Sequence, residues 1–447
     1  MRKSPFEFLW KYGLAVFATT FIFSLDWEVG NYLLAIVIIY LIQTRDEDNF
    51  FYALIIALSS VNHQISINTE NLNVASSQLN YNVNLGFLNI SLPEVFYLTV
   101  VLLSFRLMDN RFFNTYKAFL ILLLVGGIYV AYRTLTYPLS VITGWSAAFR
   151  VTLVPSALLA GLFVNKNFGR LSPYKFLSAV ILVFLINAFF FNRFGHLIFL
   201  TAACISATIF FSKLAFFILT ALFAFSLFRV GESTTFTVLL SYAIPLVLYV
   251  SRAASGKFYA KSTLIGLIMA FVSLFAYVLW NLEEIYTYFF QTTEDKSSIF
   301  VDPKTYFIFK MGDRVALWKP FLDDFLLRPY EMVFNRPISV VNILFDESKE
   351  TEWKTHPHNV FIGLLFYYGP VIGGFFIFLL LKVLRDSINT ISSLSLPKSV
   401  FFNGLILSMF PGLLFGFYPV EFTIGYIYFL IAGTIVFSDE NIAYRLR

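Results

Sequence analysis

The sequence predicts an all-α polytopic membrane protein with about 14 transmembrane helices, on the evidence of composition, apolar runs and charge placement. Hydrophobic residues make up 58% of the 447 residues and charged residues only 13%, against roughly 25% charged in a soluble domain. A soluble globule of this size has too few charges to cover so much apolar surface. This excludes disordered, nucleic-acid-binding and secreted disulfide-rich classes. The single cysteine, Cys204, leaves the outer loops to fold without an intramolecular disulfide.

A membrane-spanning helix needs about 20 mostly apolar residues, and the chain contains fourteen such runs. The ninth and tenth are short, with only Arg229, Gly231 and Glu232 marking the turn between them, so a re-entrant pair there would leave twelve full spans. The first run follows Arg2 and Lys3 but lacks a small-x-small cleavage site, so we expect a retained helix. The runs lie near 9–25, 27–42, 50–65, 91–106, 117–134, 144–164, 175–192, 194–212, 214–229, 233–250, 262–281, 358–383, 399–416 and 420–437.

Lysine and arginine set the orientation, because cytoplasmic loops carry an excess of both. Of the 32 such residues, 19 fall on the side of the N-terminus. Nine fall in one long outer loop, and charges in long loops do not predict orientation. The short outer segments hold four. Both termini are therefore predicted to be cytoplasmic. The layout comprises an N-terminal bundle of about eleven spans at 1–281, a long outer loop at 282–357 and about three C-terminal spans at 358–447.

Charged residues recur at the outer ends of the predicted spans. Placing a charge there costs a few kcal/mol unless the charge is paired or hydrated. Arg150 lies several residues inside its helix, and Arg193 lies in a tight turn between two apolar runs. We expect a functional role for both. The alternative is snorkelling to the lipid headgroups, and Arg150 also has Glu94 and Glu421 as candidate ion-pair partners.

The long outer loop contains an amphipathic helix that opens near 312–318. Asp313 suits the N-cap position, and Pro320 predicts a kink or a helix start nearer Lys319. The apolar residues at helical spacing are Val315, Trp318, Leu322 and Phe325.

Arg314 would then lie in the first turn of that helix, on the same face as Trp318. A guanidinium beside the free backbone N–H groups of a first turn suits phosphate oxygens. The alternative is a surface helix with a stray arginine.

The loop ends in Thr-His-Pro-His-Asn, which leads directly into an apolar run. Pro357 disfavours helix for His356 and suits the first turn of the helix that follows. His358 would then lie in that first turn, where the positive helix end lowers its pKa from about 6.5. A neutral imidazole can act as a general base. A zinc site and a structural cap are the alternatives, although neither a cysteine nor a third histidine lies near in sequence.

This arrangement resembles the O-antigen polymerase and O-antigen ligase superfamily of bacterial envelope glycosyltransferases. The resemblance lies in the Gly-Asp-Arg and Trp block at 312–318, the His-Pro-His-Asn block at 356–359 and the Asn-Arg turn at 192–193. The predicted order of membrane spans resembles that of the superfamily over the whole chain. Where the family usually has Pro-Leu-x-Gly-x-Gly after the Trp block, this chain departs from the pattern at 328–331.

The resemblance implies a GT-C-like fold and metal-independent transfer of glycans from undecaprenyl diphosphate, without a cofactor, at the periplasmic face of the bacterial inner membrane. A polymerase would move a growing glycan onto a new lipid-linked repeat unit. Its partners would be the lipid-linked donor and acceptor, membrane lipids and a chain-length regulator protein. The resemblance gives His358 as the general base and His356 as the second candidate for that role. Diphosphate or substrate would be bound by Arg150, Arg193, Arg314, Trp318 and Asn359.

Two other functions fit the same layout. An O-antigen ligase would transfer the glycan to lipid A–core, but ligases of this superfamily usually have fewer spans. A flippase or other transporter of lipid-linked oligosaccharide would need charged residues at mid-membrane depth. The charges predicted here lie at one face, beside the long outer loop, which favours the polymerase.

Overall fold

The computed structural model is a bundle of helices with two short β-hairpins. The predicted all-α class is confirmed, because almost every described residue outside the loops is helical. The structure describes residues 5–25, 28–61, 82–84, 89–108, 120–121, 124–125, 128, 153, 156–169, 171–191, 197–227, 232–255, 257–292, 311–312, 314–316, 318–319, 322–323, 326–327, 341–343, 352–354, 359, 361–362, 365, 370, 373–374, 377–378, 380–382, 385, 404–408 and 423–437.

Twelve helices can be given bounds within this part of the chain, together with two 3-10 turns at Ala157–Leu159 and Thr208–Phe210. The helices are α1 Pro5–Ser24, α2 Glu28–Gln43, α3 Glu47–Val61, α4 Leu92–Phe105, α5 Ala160–Phe168, α6 Pro173–Phe190, α7 Leu197–Ala207, α8 Lys213–Leu227, α9 Glu232–Ser255, α10 Lys257–Trp280, α11 Leu282–Thr292 and α12 Thr423–Val436. Ten of them lie close to predicted apolar runs, α5 begins near the end of the run at 144–164 and extends beyond it, and α11 falls in the long loop.

The tenth apolar run forms a longer helix than its sequence suggests. Helix α9 has 24 residues, or about 36 Å of helix at 1.5 Å per residue. It continues to Ser255, beyond the predicted end near 250. The Ser251 and Thr263 hydroxyls lie 2.6 Å apart, so the polar extension is bonded to α10.

By length and composition, one described helix is long and apolar enough to cross a membrane, namely α6 at Pro173–Phe190. The bent pair Ile265–Trp280 and Leu282–Tyr288 adds a second if it is counted as one span. Seven shorter described helices are also apolar.

Helix α7 is the most enclosed element, since all eleven of its residues are buried. Helix α9 packs along it, and α6 and α8 pack on its other sides. Helices α1 to α4 form the adjoining part of the bundle together with α6. The buried side chains of these helices form one continuous apolar cluster.

Helices α5 and α12 approach so closely that their backbones touch at two glycines. A Cβ atom on Gly161 would lie 1.9 Å from the carbonyl carbon of Gly433, and a Cβ on Gly433 would lie 2.0 Å from the Leu158 oxygen. The Asn165 side-chain amide donates to the Thr434 carbonyl at 2.9 Å. Small residues permit this kind of close crossing between helices.

The outward faces of several helices are apolar. On α2 the exposed residues follow helical spacing and include Tyr32, Leu33, Ile36, Val37 and Tyr40. The opposite face of α2 packs against α3 and α4. This helix is therefore apolar on both faces, whereas the exposed face of a helix on a soluble protein carries polar residues.

One hairpin lies directly before α4, and the other lies in the predicted long outer loop at 282–357. Strands β1 Asn82–Asn84 and β2 Asn89–Ser91 pair antiparallel, and β2 runs directly into α4. Strands β3 Val341–Ile343 and β4 Glu352–Lys354 also pair antiparallel, and β4 ends just before the His-Pro-His-Asn block.

Candidate functional site

The structure describes three of the seven predicted site residues, namely Arg314, Trp318 and Asn359. The other four, Arg150, Arg193, His356 and His358, lie outside the described residues.

The helix carrying Arg314 begins earlier than predicted. Met311 and Gly312 are already helical, so the helix begins at or before Met311, upstream of the N-cap expected at position 313. Burial accounts for this, because Met311 is 3% exposed and extends the apolar stripe of Val315 and Trp318 by one turn.

Trp318 anchors this helix to the bundle. Its side chain is fully buried, and its ring lies 5.7 Å from the ring of Phe275 on α10 in an edge-to-face arrangement. Truncating a buried Trp costs about 3–5 kcal/mol. The buried indole therefore fixes this helix against α10. Arg314 lies one turn before Trp318 and is half-buried.

Asn359 caps the helix that follows the His-Pro-His-Asn block. Its side chain is fully buried, and its Oδ1 accepts a hydrogen bond from the Ile362 N–H at 3.0 Å. This is the N-cap to N3 geometry, and Asn is among the best N-cap residues. The helix therefore begins after Asn359. The first-turn position expected for His358 lies outside the described residues.

Phe275 brings the two motif blocks together. Its ring contacts Trp318 on one side, and Phe361 lies 6.5 Å away between ring centroids. Phe361 is the second residue of the helix that Asn359 caps. The Arg314 helix and the entry to the next membrane-type helix therefore meet on a single side chain of α10.

The meeting point lies near a sharp bend in the chain. The axes of Ile265–Trp280 and Leu282–Tyr288 differ by 67°. Asn281 lies at the bend, where its N–H and side-chain amide both donate to the Tyr277 carbonyl at 3.0 and 2.9 Å. Its own carbonyl accepts from the Ile285 N–H at 2.9 Å, which begins α11.

Lys319 connects the Arg314 helix to α11. Its Nζ lies 2.8 Å from Glu283 Oε1 and 2.6 Å from Asp323 Oδ2, and 5.4 Å from the centre of the Tyr286 ring. Burial alone would lower the pKa of Lys319, but hydrogen bonds and charge from Asp323 and Glu283 outweigh it and raise the pKa. Glu283 is largely exposed, so this ion pair contributes about 0–1 kcal/mol, much less than the burial of Trp318.

A second polar cluster surrounds Glu94 at the start of α4. Glu94 is 1% exposed, and its Oε2 accepts hydrogen bonds from the Ser91 N–H and hydroxyl at 2.6 and 2.7 Å. The Tyr426 hydroxyl of α12 donates to Oε1 at 3.3 Å, and the Tyr426 ring stacks on Tyr97 at 4.5 Å. This carboxylate ties α4 to α12. Its candidate ion-pair partner Arg150 lies outside the described residues, as does Glu421.

Sequence reasoning singled out neither Phe275 nor Glu283. Phe275 is one of 56 phenylalanines and lies in an apolar run whose spacing marks no single residue. The partnership of Lys319 with Glu283 joins residues far apart in sequence. Glu94 carried a usable signal, since Ser91 followed three residues later by a glutamate is the capping-box pattern.

Within the described residues, no three histidine, cysteine, aspartate or glutamate side chains form a group that could hold a metal. All four histidines of the chain lie outside that part. No protein-family model, curated protein or solved structure matches the chain.

Proposed function

We propose that this protein is a polymerase of lipid-linked polysaccharide repeat units in the bacterial inner membrane, with its active face towards the periplasm. It transfers a growing glycan from undecaprenyl diphosphate to a new lipid-linked repeat unit. The observation that carries the proposal is the meeting of the Arg314 helix and the helix capped by Asn359 on Phe275. The two blocks that carry the family resemblance are thereby adjacent in space.

The apolar outward faces support the membrane placement. Exposed Tyr, Leu, Ile and Val side chains on α2 have lipid as their natural surroundings. Helix α8 repeats the pattern, with Leu214, Phe217, Ile218, Leu222 and Phe225 exposed.

Contacts between helix ends support the proposed sidedness. Lys175 at the start of α6 lies 2.5 Å from Glu47 and 2.5 Å from Asp48 at the start of α3. The lysine and arginine count assigns both of these ends to the cytoplasmic side. At the other end, Glu94 bonds to Tyr426, and the count assigns the starts of α4 and α12 to the outer side.

The chemistry needs a bound diphosphate and an activated hydroxyl. Arg150, Arg193 and Arg314 would hold the diphosphate, because guanidinium groups bind phosphate oxygens in two-point fashion. The acceptor hydroxyl oxygen attacks the anomeric carbon of the donor sugar. The bond from that carbon to the diphosphate oxygen breaks, undecaprenyl diphosphate leaves, and His358 takes the hydroxyl proton. Trp318 and Asn359 hold Arg314 and the histidine block in place.

Purified protein in lipid nanodiscs, supplied only with lipid-linked repeat units, tests this proposal. Glycans of increasing length on undecaprenyl diphosphate are the expected product. Product that forms only after lipid A–core is added would assign the ligase reaction instead. Movement of intact lipid-linked units across vesicles, without bond formation, would assign a transporter.

A further inference from the structure

An exposed apolar stripe runs the length of α10 and stops at its last residue. Ile265, Met269, Val272, Leu279 and Trp280 are exposed at helical spacing. Trp280 is 90% exposed, and the chain bends directly after it. Glu283 and Glu284 in the next turn are exposed and acidic. The change from apolar to charged therefore occurs within one turn, with a Trp at the boundary, as at a membrane–water interface.

Two further leucines are exposed on the helix that carries Arg314. Leu326 is 72% exposed and Leu327 is 79% exposed. Lys319, seven residues before Leu326, lies 2.8 Å from Glu283 at this boundary. Covering an exposed Leu with apolar atoms is favourable, and the acyl chains of a lipid leaflet can supply that cover.

We infer that Leu326 and Leu327 insert between lipid acyl chains of the outer leaflet, beside Trp280, and anchor the Arg314 helix to the membrane surface. The occupant is lipid because the neighbouring surface of α10 is an apolar stripe, while the Lys319 and Glu283 pair supplies charge at headgroup level. This inference rests on the membrane placement proposed above. It assigns the two leucines the task of setting the depth of Arg314 at the level where the diphosphate of a lipid-linked substrate lies.

Fluorescence quenching tests the inference without any activity measurement. In a Cys204→Ala background, single variants Leu326→Cys, Leu327→Cys, Met269→Cys and Glu284→Cys are labelled with bimane and reconstituted into nanodiscs. Lipids carrying a doxyl group at a shallow or a deep position serve as quenchers. We expect both leucine variants to lose fluorescence with the shallow quencher. Met269→Cys should lose it with the deep quencher, and Glu284→Cys with neither.

The outcomes separate this inference from the proposed function. Unquenched Leu326→Cys and Leu327→Cys, with Met269→Cys quenched, would overturn the anchor and leave the membrane placement standing. An unquenched Met269→Cys would overturn both. A disulfide between two chains of unlabelled Leu326→Cys protein, with no lipid quenching of the labelled protein, would assign the leucines to a second copy and overturn the anchor. Quenching as expected in a protein without polymerase activity would support the anchor while the proposed reaction fails.

Discussion

At the residue scale, the candidate site depends on a few buried groups that fix exposed ones. Trp318 and Asn359 are fully buried. Trp318 fixes the helix that carries Arg314, and Asn359 caps the helix that follows the histidine block. The burial of Trp318, whose ring contacts Phe275, contributes several kcal/mol more to stability than the exposed ion pair of Lys319 with Glu283. Packing, more than charge, therefore sets the geometry around Arg314.

Arg314 should not tolerate lysine. Two-point hydrogen bonding to diphosphate needs the planar guanidinium, which an ammonium group cannot reproduce. We expect Arg314→Lys and Arg193→Lys to lose most polymer in the nanodisc assay while accumulating normally in the membrane. Arg106→Lys is the matched control, since Arg106 is exposed at the far end of α4. Full activity in both test variants would show that two-point binding at these sites is not needed.

His358 should act as the general base. Losing such a group costs about 10² to 10⁴ in rate, so His358→Ala should leave only single repeat units or short chains. His356→Ala should be milder, because Pro357 directs the two side chains apart. Chain-length analysis of the purified reaction measures both. Near-normal turnover by His358→Ala, or activity lost in EDTA and restored by zinc, would contradict this mechanism.

Phe275 should couple the two motif blocks. Phe275→Ala removes a ring that Trp318 and Phe361 both contact and should cost about 3–5 kcal/mol of unfolding free energy. A double-mutant cycle with Phe361→Ala should give a coupling energy of about 0.5–1.5 kcal/mol. Phe217→Ala on the exposed face of α8 is the control and should cost far less. A coupling energy near zero would mean that the two blocks are held together by other contacts.

At the element scale, helix crossings depend on small residues and caps. The α5 and α12 backbones touch at Gly161 and Gly433. The Glu94 carboxylate fastens α4 to α12. These contacts explain how the last helix of the chain becomes part of the N-terminal bundle.

Gly433→Ala should destabilise the protein, because its new methyl group would lie 2.0 Å from the Leu158 oxygen. Forced separation of two packed helices costs about 1–3 kcal/mol. Gly266→Ala is the matched control in α10, where nothing lies within 4 Å of the added carbon. Thermal unfolding in detergent should show a lower midpoint for Gly433→Ala only. Equal midpoints would mean that α12 shifts away at no cost.

At the scale of the whole molecule, the inside and the outside are both apolar, and charge collects at the helix ends. Lys175 pairs with Glu47 and Asp48 at one end, and Lys319 pairs with Glu283 and Asp323 at the bend after α10. Such a distribution suits a protein whose middle zone is surrounded by lipid.

Reporter fusions test the orientation. The 19 to 4 bias of lysine and arginine predicts cytoplasmic signals after Lys213, Lys261 and Arg385. Fusions near Thr293 and Asp346 should report the periplasm. A cytoplasmic signal from 290–350 would place Arg314 on the wrong side for lipid-linked substrates and overturn the proposed function.

The sequence by itself determined the helical class and most helix bounds. Apolar runs and the charges that interrupt them are local properties, and their period can be counted directly. The buried stripe of Val315, Trp318 and Leu322 was found in the same way, since helical spacing brings such residues to one face. The agreement is close for α1, α2 and α6, where an apolar run and a helix nearly coincide.

Only the tertiary structure decided where helices begin at the site and what they contact. Burial of Met311 places one helix start upstream of the expected N-cap, and the buried side chain of Asn359 caps another helix. Phe275 and Glu283 gained their roles from partners distant in sequence. Local preferences for caps and turns are worth about 1 kcal/mol, and burial of one large side chain is worth several times that. Where a local preference and burial favour different helix starts, packing between distant segments determines the start. No local sequence pattern indicates that packing.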